Sequence, residues 1–193
     1  MKYKRKFGFT VIELLVVSGI ISLMTVVIAQ VFFTTIRTNT KSEVLREVKQ
    51  TGDRTLDTMT RMIQNASSII INVSSCPEKG EPSVIINELT LVNADGGNTT
   101  FTCDASSGIA RIASASGSLS TYLTGSTVTL LDTAKTVSCS SGSTGALQFS
   151  CTSLGSVPSL VQVNFTLRQK SESTSAFDSA TMSFQTTVTI RNW

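Results

Sequence analysis

The chain of 193 residues contains no histidine, so the side chain that most often moves protons near neutral pH is missing. This absence excludes Ser–His–Asp and Cys–His catalytic arrangements and histidine metal sites. The many serine and threonine residues therefore lack their usual activating base. The sequence predicts no enzyme, no cofactor and no metal site.

Closely spaced cysteines are also absent. The four cysteines are Cys76, Cys103, Cys139 and Cys151, and no two of them form a CxxC pair. Zinc and redox motifs need such pairs, so disulfides in an oxidising compartment are the favoured interpretation. Four cysteines allow three connectivities. We favour Cys139–Cys151, which closes a short Ser- and Gly-rich loop, with Cys76–Cys103 as the second bond.

Acidic residues are missing from the N-terminus, where positive charge is concentrated. Lys2, Lys4, Arg5 and Lys6 are four of the 16 basic residues, and the remaining 12 face 13 acids. The basic character therefore belongs to the N-terminal segment and not to a nucleic-acid-binding face, and no nucleic-acid site is predicted.

Residues 9–36 form one apolar segment without proline, and its only ionisable side chain is Glu13. As a helix the segment would be roughly 42 Å long, which exceeds the ~30 Å hydrocarbon core of a membrane. The preceding cations predict a cytoplasmic N-terminus and export of the chain after Arg37. A cleavable signal peptide has a shorter apolar region, and a simple anchor gives no reason for Glu13.

The residues KRKFG at 4–8, followed by FTVIELLVV at 9–17, resemble the class III signal of type IV prepilins and pseudopilins. The resemblance implies that a prepilin peptidase cuts between Gly8 and Phe9 and N-methylates Phe9. Glu13 then becomes the fifth residue of the mature chain and serves assembly. Many major pilins carry a proline in this segment, so its absence favours a minor pilin or a pseudopilin. Two further stretches, TLDTMTRMIQNA at 55–66 and LTGSTV at 123–128, resemble larger minor pilins and J-type pseudopilins.

Beyond Arg37 the helical pattern continues with an apolar stripe and then changes to an alternating pattern. The stripe consists of Val44, Leu45, Val48, Leu56, Met59, Met62, Ile63 and Ala66. Strands are predicted over 68–73, 84–92, 99–103, 161–167 and 182–190, with a hairpin turn at 93–98.

These patterns predict an α+β fold, in which a long N-terminal helix packs on a C-terminal antiparallel sheet as in type IV pilins. The resemblance implies that residues 1–8 are a basic leader that is removed and that residues 9–36 are the transmembrane and assembly helix. Residues 37–66 continue that helix as an amphipathic segment, and residues 67–193 form an extracytoplasmic β-rich domain.

The resemblance implies a structural subunit of a type IV pilus or pseudopilus, which serves adhesion, motility, secretion or DNA uptake. Its partners would be the prepilin peptidase, other pilin subunits, the inner-membrane assembly platform and membrane lipid. Glu13 would pair with the new amino group of Phe9 in a neighbouring subunit, because pairing offsets the desolvation of both charges. The alternative is a signal-anchored extracytoplasmic binding or sensor domain that enters no filament.

Overall fold

The computed structural model describes residues 8–70, 84–140, 142–152, 160–170 and 180–190. Cys76 lies outside these residues. The described chain begins with one long helix, α1 (Val11–Gln64), and continues with strands that form two antiparallel sheets. The strands are β1 (Ala66–Ile70), β2 (Val84–Ile86), β3 (Leu89–Asn93), β4 (Asn98–Asp104), β5 (Arg111–Ser116), β6 (Leu119–Tyr122), β7 (Val128–Leu131), β8 (Leu147–Thr152), β9 (Leu160–Gln169) and β10 (Thr181–Thr189). The fold is therefore α+β.

The chain divides into two compact units after Ser42, and α1 runs through the boundary. In the second unit the helix buries one stripe, formed by Val44, Val48, Gly52, Thr55, Met59 and Ile63. Steps of three and four residues keep these positions on one face of a helix. Leu45 and Met62 were predicted in the stripe but are 42% and 37% exposed, because each lies one position away from the buried series.

The first sheet has the strand order β1-β3-β4-β5-β6. Its β3–β4 hairpin confirms the turn predicted at 93–98, where the Gly96 amide donates to the Asn93 carbonyl at 3.0 Å. The Asp95 carboxylate accepts a bond from the Gly97 amide at 2.9 Å. Gly96 has a φ of 82°, a left-handed conformation that glycine adopts without strain.

The second sheet has the order β10-β9-β8-β2, and β7 also pairs with β9. The register places Leu147 of β8 opposite Phe165, while Leu131 of β7 lies opposite Thr166. β7 and β8 therefore follow one another along the same edge of β9. Both β9 and β10 bury alternate residues, which confirms the two strands predicted in this part of the chain.

The prediction of a single strand over 84–92 is wrong, because the chain leaves the second sheet after Ile86 and enters the first at Leu89. Asn87 lies at the crossing and binds the segment before β8. Its side-chain amide donates to the Leu147 carbonyl at 2.7 Å and accepts a bond from the Gly142 amide. A carboxamide provides both the donor and the acceptor that this connection needs.

The stripe of α1 and the inner faces of both sheets share one hydrophobic core. At Gly52 the helix approaches the second sheet so closely that an added Cβ would overlap Cζ of Phe184. The Phe184 ring stacks on Phe165 with a centroid distance of 5.3 Å. An alanine at position 52 would therefore fit only if the Phe184 ring moved.

We expect Gly52→Ala to lower the free energy of unfolding. The overlap with Phe184 costs about 1–3 kcal/mol, and alanine returns at most about 1 kcal/mol in helix propensity. Urea unfolding of the detergent-solubilised protein, followed by circular dichroism, measures the difference. Asp53→Ala, at the exposed neighbouring position, should change stability by less than about 0.5 kcal/mol. Adding Phe184→Leu should reduce the effect of Gly52→Ala, and a Gly52→Ala protein as stable as the wild type would contradict this packing.

The predicted disulfide pairing is also wrong, because Cys103 is bonded to Cys139 with a Cα–Cα distance of 5.5 Å. This bond excludes both Cys139–Cys151 and Cys76–Cys103. Residues 142–144 form a 3₁₀ turn and Cys151 lies near the end of the extended strand β8, so Cys139 and Cys151 do not flank a simple hairpin loop. Cys151 is itself disulfide-bonded.

Peptide mapping without reduction should recover a crosslinked peptide that contains Cys103 and Cys139. The bond connects the end of β4 to the segment before β8, and its two cysteines are 36 residues apart in the chain. Closing a loop of this length contributes about 3–4 kcal/mol in the chain-entropy account. The double variant Cys103→Ala/Cys139→Ala should therefore unfold at lower urea. Recovery of a Cys139–Cys151 peptide from the native protein would contradict the pairing.

Candidate functional site

The large apolar side chains of residues 9–36 are exposed, from Phe9 at 79% to Ile36 at 47%. The most apolar window of α1 buries none of its residues within the protein. A continuous apolar surface of this kind is unfavourable in water and is normally covered by lipid or protein. Of the described helices, α1 is long and apolar enough to cross a membrane, so this part of the helix is a candidate membrane anchor or signal.

Hydroxyl side chains interrupt the apolar surface, but most of them are bonded within the helix. Each donates to a backbone carbonyl three or four residues earlier, at 2.8–3.2 Å. The donors are Ser18, Thr25, Thr34, Thr35, Thr38 and Thr40. An unpaired donor in hydrocarbon costs several kcal/mol, so these internal bonds make the hydroxyls compatible with an apolar surrounding.

Glu13 lies in the first turn of α1, where a negative charge is stabilised by the helix dipole. Its backbone amide donates to Oγ1 of Thr10 at 3.3 Å, so Thr10 caps the helix. Threonine followed three residues later by glutamate is the sequence pattern of a capping box. This local role was not predicted from the sequence, although the Thr10-x-x-Glu13 pattern is typical of it.

The Glu13 side chain is exposed, and among the residues that the structure describes no hydrogen bond or ion pair engages its carboxylate. The cap therefore uses the backbone of Glu13 and leaves both carboxylate oxygens available to another group. In an apolar surrounding, a carboxylate without a partner would carry a large desolvation penalty. The geometry thus fits a pairing with a cation from outside the described chain.

Gly8 and Phe9 precede the helix and are exposed, so the peptide bond between them lies in accessible, non-helical backbone. A Cβ added at Gly8 would meet no atom within 4 Å. Packing within the described residues therefore gives no reason for glycine at this position. Cleavage after Gly8 and methylation of Phe9 stay predictions.

A polar cluster in the first sheet joins the edge strand β6 to the start of β5. The Tyr122 hydroxyl donates to the Asp104 carboxylate at 2.6 Å, and the Arg111 guanidinium lies 3.6 Å from the centroid of the Tyr122 ring. The bond from Tyr122 lowers the pKa of Asp104 below its ordinary value, with further contributions from Ser106 and Arg111. These groups pair with one another, so we interpret the cluster as a structural contact.

No set of three or more His, Cys, Asp or Glu side chains could hold a metal ion within the described ranges. Comparisons with protein-family models, curated proteins and solved structures found no match. The observations at the N-terminus that bear on function are therefore the motif at residues 4–17 and the geometry of the helix start.

Proposed function

We propose that this chain is a prepilin-like structural subunit, which a prepilin peptidase processes and which assembles into a type IV pilus or pseudopilus. One joint observation supports the proposal: Gly8 and Phe9 precede the helix, and in the apolar residues 9–36 the only ionisable side chain, Glu13, is exposed in the first turn of α1. In this proposal the subunit waits in the inner membrane as a single-pass protein with a cytoplasmic N-terminus. Its β-rich domain is extracytoplasmic, and a minor pilin or pseudopilin is favoured.

Processing would create the cation that Glu13 lacks. Cleavage after Gly8 releases an amino group on Phe9, and both members of the Thr10–Glu13 cap lie on the retained side of the cut. The mature chain would thus keep a capped helix start and gain a positive charge next to it. In a bundle of subunits the Phe9 amine of one copy can approach the Glu13 carboxylate of another, which fixes the axial register of the two helices.

The remaining surface of residues 9–36 would then be buried by neighbouring helices in the filament shaft. Its exposed Val, Leu, Ile and Phe side chains supply the van der Waals contacts. Burial of one such side chain contributes about 1.5–3 kcal/mol when it leaves water, but much less when it leaves lipid. Extraction from the membrane therefore depends on interhelical packing and on the Glu13 pair.

A signal-anchored binding or sensor domain is the second candidate, and the Thr10 cap favours it. A glutamate in the first turn is stabilised by the dipole of its own helix, so its presence does not by itself require a filament. The two candidates differ in the fate of residues 1–8, which only the first removes.

The proposal predicts that the protein isolated from a host with an active prepilin peptidase begins at N-methylated Phe9. Intact-mass and N-terminal peptide mass spectrometry measure this directly. A Gly8→Glu variant, which alters the residue before the cut, should retain residues 1–8. A wild-type chain that begins at Met1 or Lys2 in such a host would instead favour the signal-anchored domain.

Glu13→Leu and Glu13→Ala should be processed but should enter filaments at least about tenfold less than the wild type. Without the Glu13 carboxylate, the Phe9 amine of the neighbouring subunit would be buried without a partner. Such an unpaired charge destabilises the assembled state by about 3–5 kcal/mol. Immunoblots of sheared filaments, normalised to the membrane pool, measure the incorporation. Thr10→Ala is the matched control, because it removes the cap and keeps the carboxylate. If either Glu13 variant is processed and incorporated at the wild-type level, the pairing is wrong.

A further inference from the structure

The second sheet has a cleft on the face that points away from the core. The cleft has a volume of about 340 Å³, which is within the usual range for small-molecule sites. Its polar lining comes from β8, β9, β10 and the segment that follows β7. These residues are Asp132, Thr133, Gln148, Asn164, Thr166, Ser183 and Gln185.

Three carboxamides form a row across the floor of this cleft. The register places Gln148 opposite Asn164 on one side and Gln185 opposite Asn164 on the other. Neighbouring strands are about 4.8 Å apart, so the row extends over about 10 Å. A row of this length presents donors and acceptors at regular spacing to a ligand as long as a disaccharide.

Much of the hydrogen-bonding capacity of this row is unused. Gln148 donates its side-chain amide to the carbonyls of Ser143 and Gly145 at 2.8 and 3.0 Å, which leaves its own carbonyl oxygen free to accept. Within the described ranges Asn164 and Gln185 make no side-chain hydrogen bond. In the next row, by contrast, the hydroxyls of Thr166 and Ser183 bond to each other at 2.9 Å.

Charge and shape restrict the class of ligand. Asp132 is the one ionisable residue in the lining, and bonds from the hydroxyl and the amide of Thr136 hold its pKa below the ordinary value. The site is therefore negative near neutral pH and disfavours phosphate, sulfate and carboxylate ligands. Phe165 and Phe184 border the cleft, but their rings are stacked on each other and buried, so they offer no platform for a flat aromatic ligand.

We propose that this cleft binds a neutral carbohydrate of about two sugar units. Each carboxamide can donate to one hydroxyl and accept from another, and the Asp132 oxygens retain lone pairs for further hydroxyl donors. A sugar matches this combination of uncharged donors and acceptors. The proposal does not depend on assembly into a filament, since all of the lining residues lie in the second compact unit.

Ligand-observed saturation-transfer NMR tests the site on the full chain in lipid nanodiscs. The probes are maltose, cellobiose, lactose and N,N′-diacetylchitobiose at millimolar concentration, with empty nanodiscs as background. We expect at least one disaccharide to bind, and inorganic phosphate at the same concentration should not displace it. Absence of a signal from all four disaccharides would overturn the proposal, and displacement by phosphate would overturn the class of ligand.

Two variants locate the binding. Asn164→Ala and Gln185→Ala should each weaken the affinity about three- to tenfold, which corresponds to the loss of one or two net hydrogen bonds. Gln185 is exposed, so its variant keeps the test valid even if Asn164→Ala affects folding. Gln162→Ala is the matched control, because Gln162 lies on the same face of β9 outside the cleft and should leave binding unchanged. Equal losses in the control and in the cleft variants would overturn the assignment.

Discussion

The helix α1 must satisfy two different surroundings along one continuous backbone, and this constraint organises the rest of the structure. In residues 44–63 it buries a narrow stripe and exposes charged residues elsewhere, as a helix on a sheet does. In residues 9–36 it buries almost nothing within the protein and exposes apolar side chains on every face. Residues 44–63 already pack on the two sheets. Residues 9–36 expose an apolar surface that needs a partner from outside the described chain.

The stripe depends on small residues as much as on large ones. Gly52 admits the Phe184 ring, and the Thr55 hydroxyl donates to the Thr51 carbonyl at 2.8 Å, with the Leu123 carbonyl as a second acceptor at 3.3 Å. Both are buried and neither is apolar in the usual sense, so a count of hydrophobic positions does not identify them. The same holds at the N-terminus, where Thr10 and Glu13 form a cap inside a segment that otherwise looks uniformly apolar. The local chemistry of a few polar positions thus defines where the helix begins and how closely it packs.

The sequence predicted the parts of the fold that have a clear local period. Long alternation marked β9 and β10, and the Asn-Ala-Asp-Gly-Gly turn marked the β3–β4 hairpin. The sequence pattern predicted β2 and β3 as one strand. The chain changes sheets at Asn87 without a Gly or Pro to mark the break. β7 is buried at all four positions and so shows no alternation. The disulfide was mispaired because its partners are brought together by the meeting of two sheets, which no loop composition encodes.

The shared edge of β9 has a consequence for the order in which the domain forms. In the first sheet, β3 to β6 are successive neighbours and can pair as residues 89–122 become available. The second sheet must wait, since β7 and β8 need the later strand β9, and β2 needs β8 across about sixty residues of chain. Contacts between distant segments form slowly. During synthesis the first sheet can therefore pair before the second, while β2 and β7 have no strand partner until β8 and β9 are available.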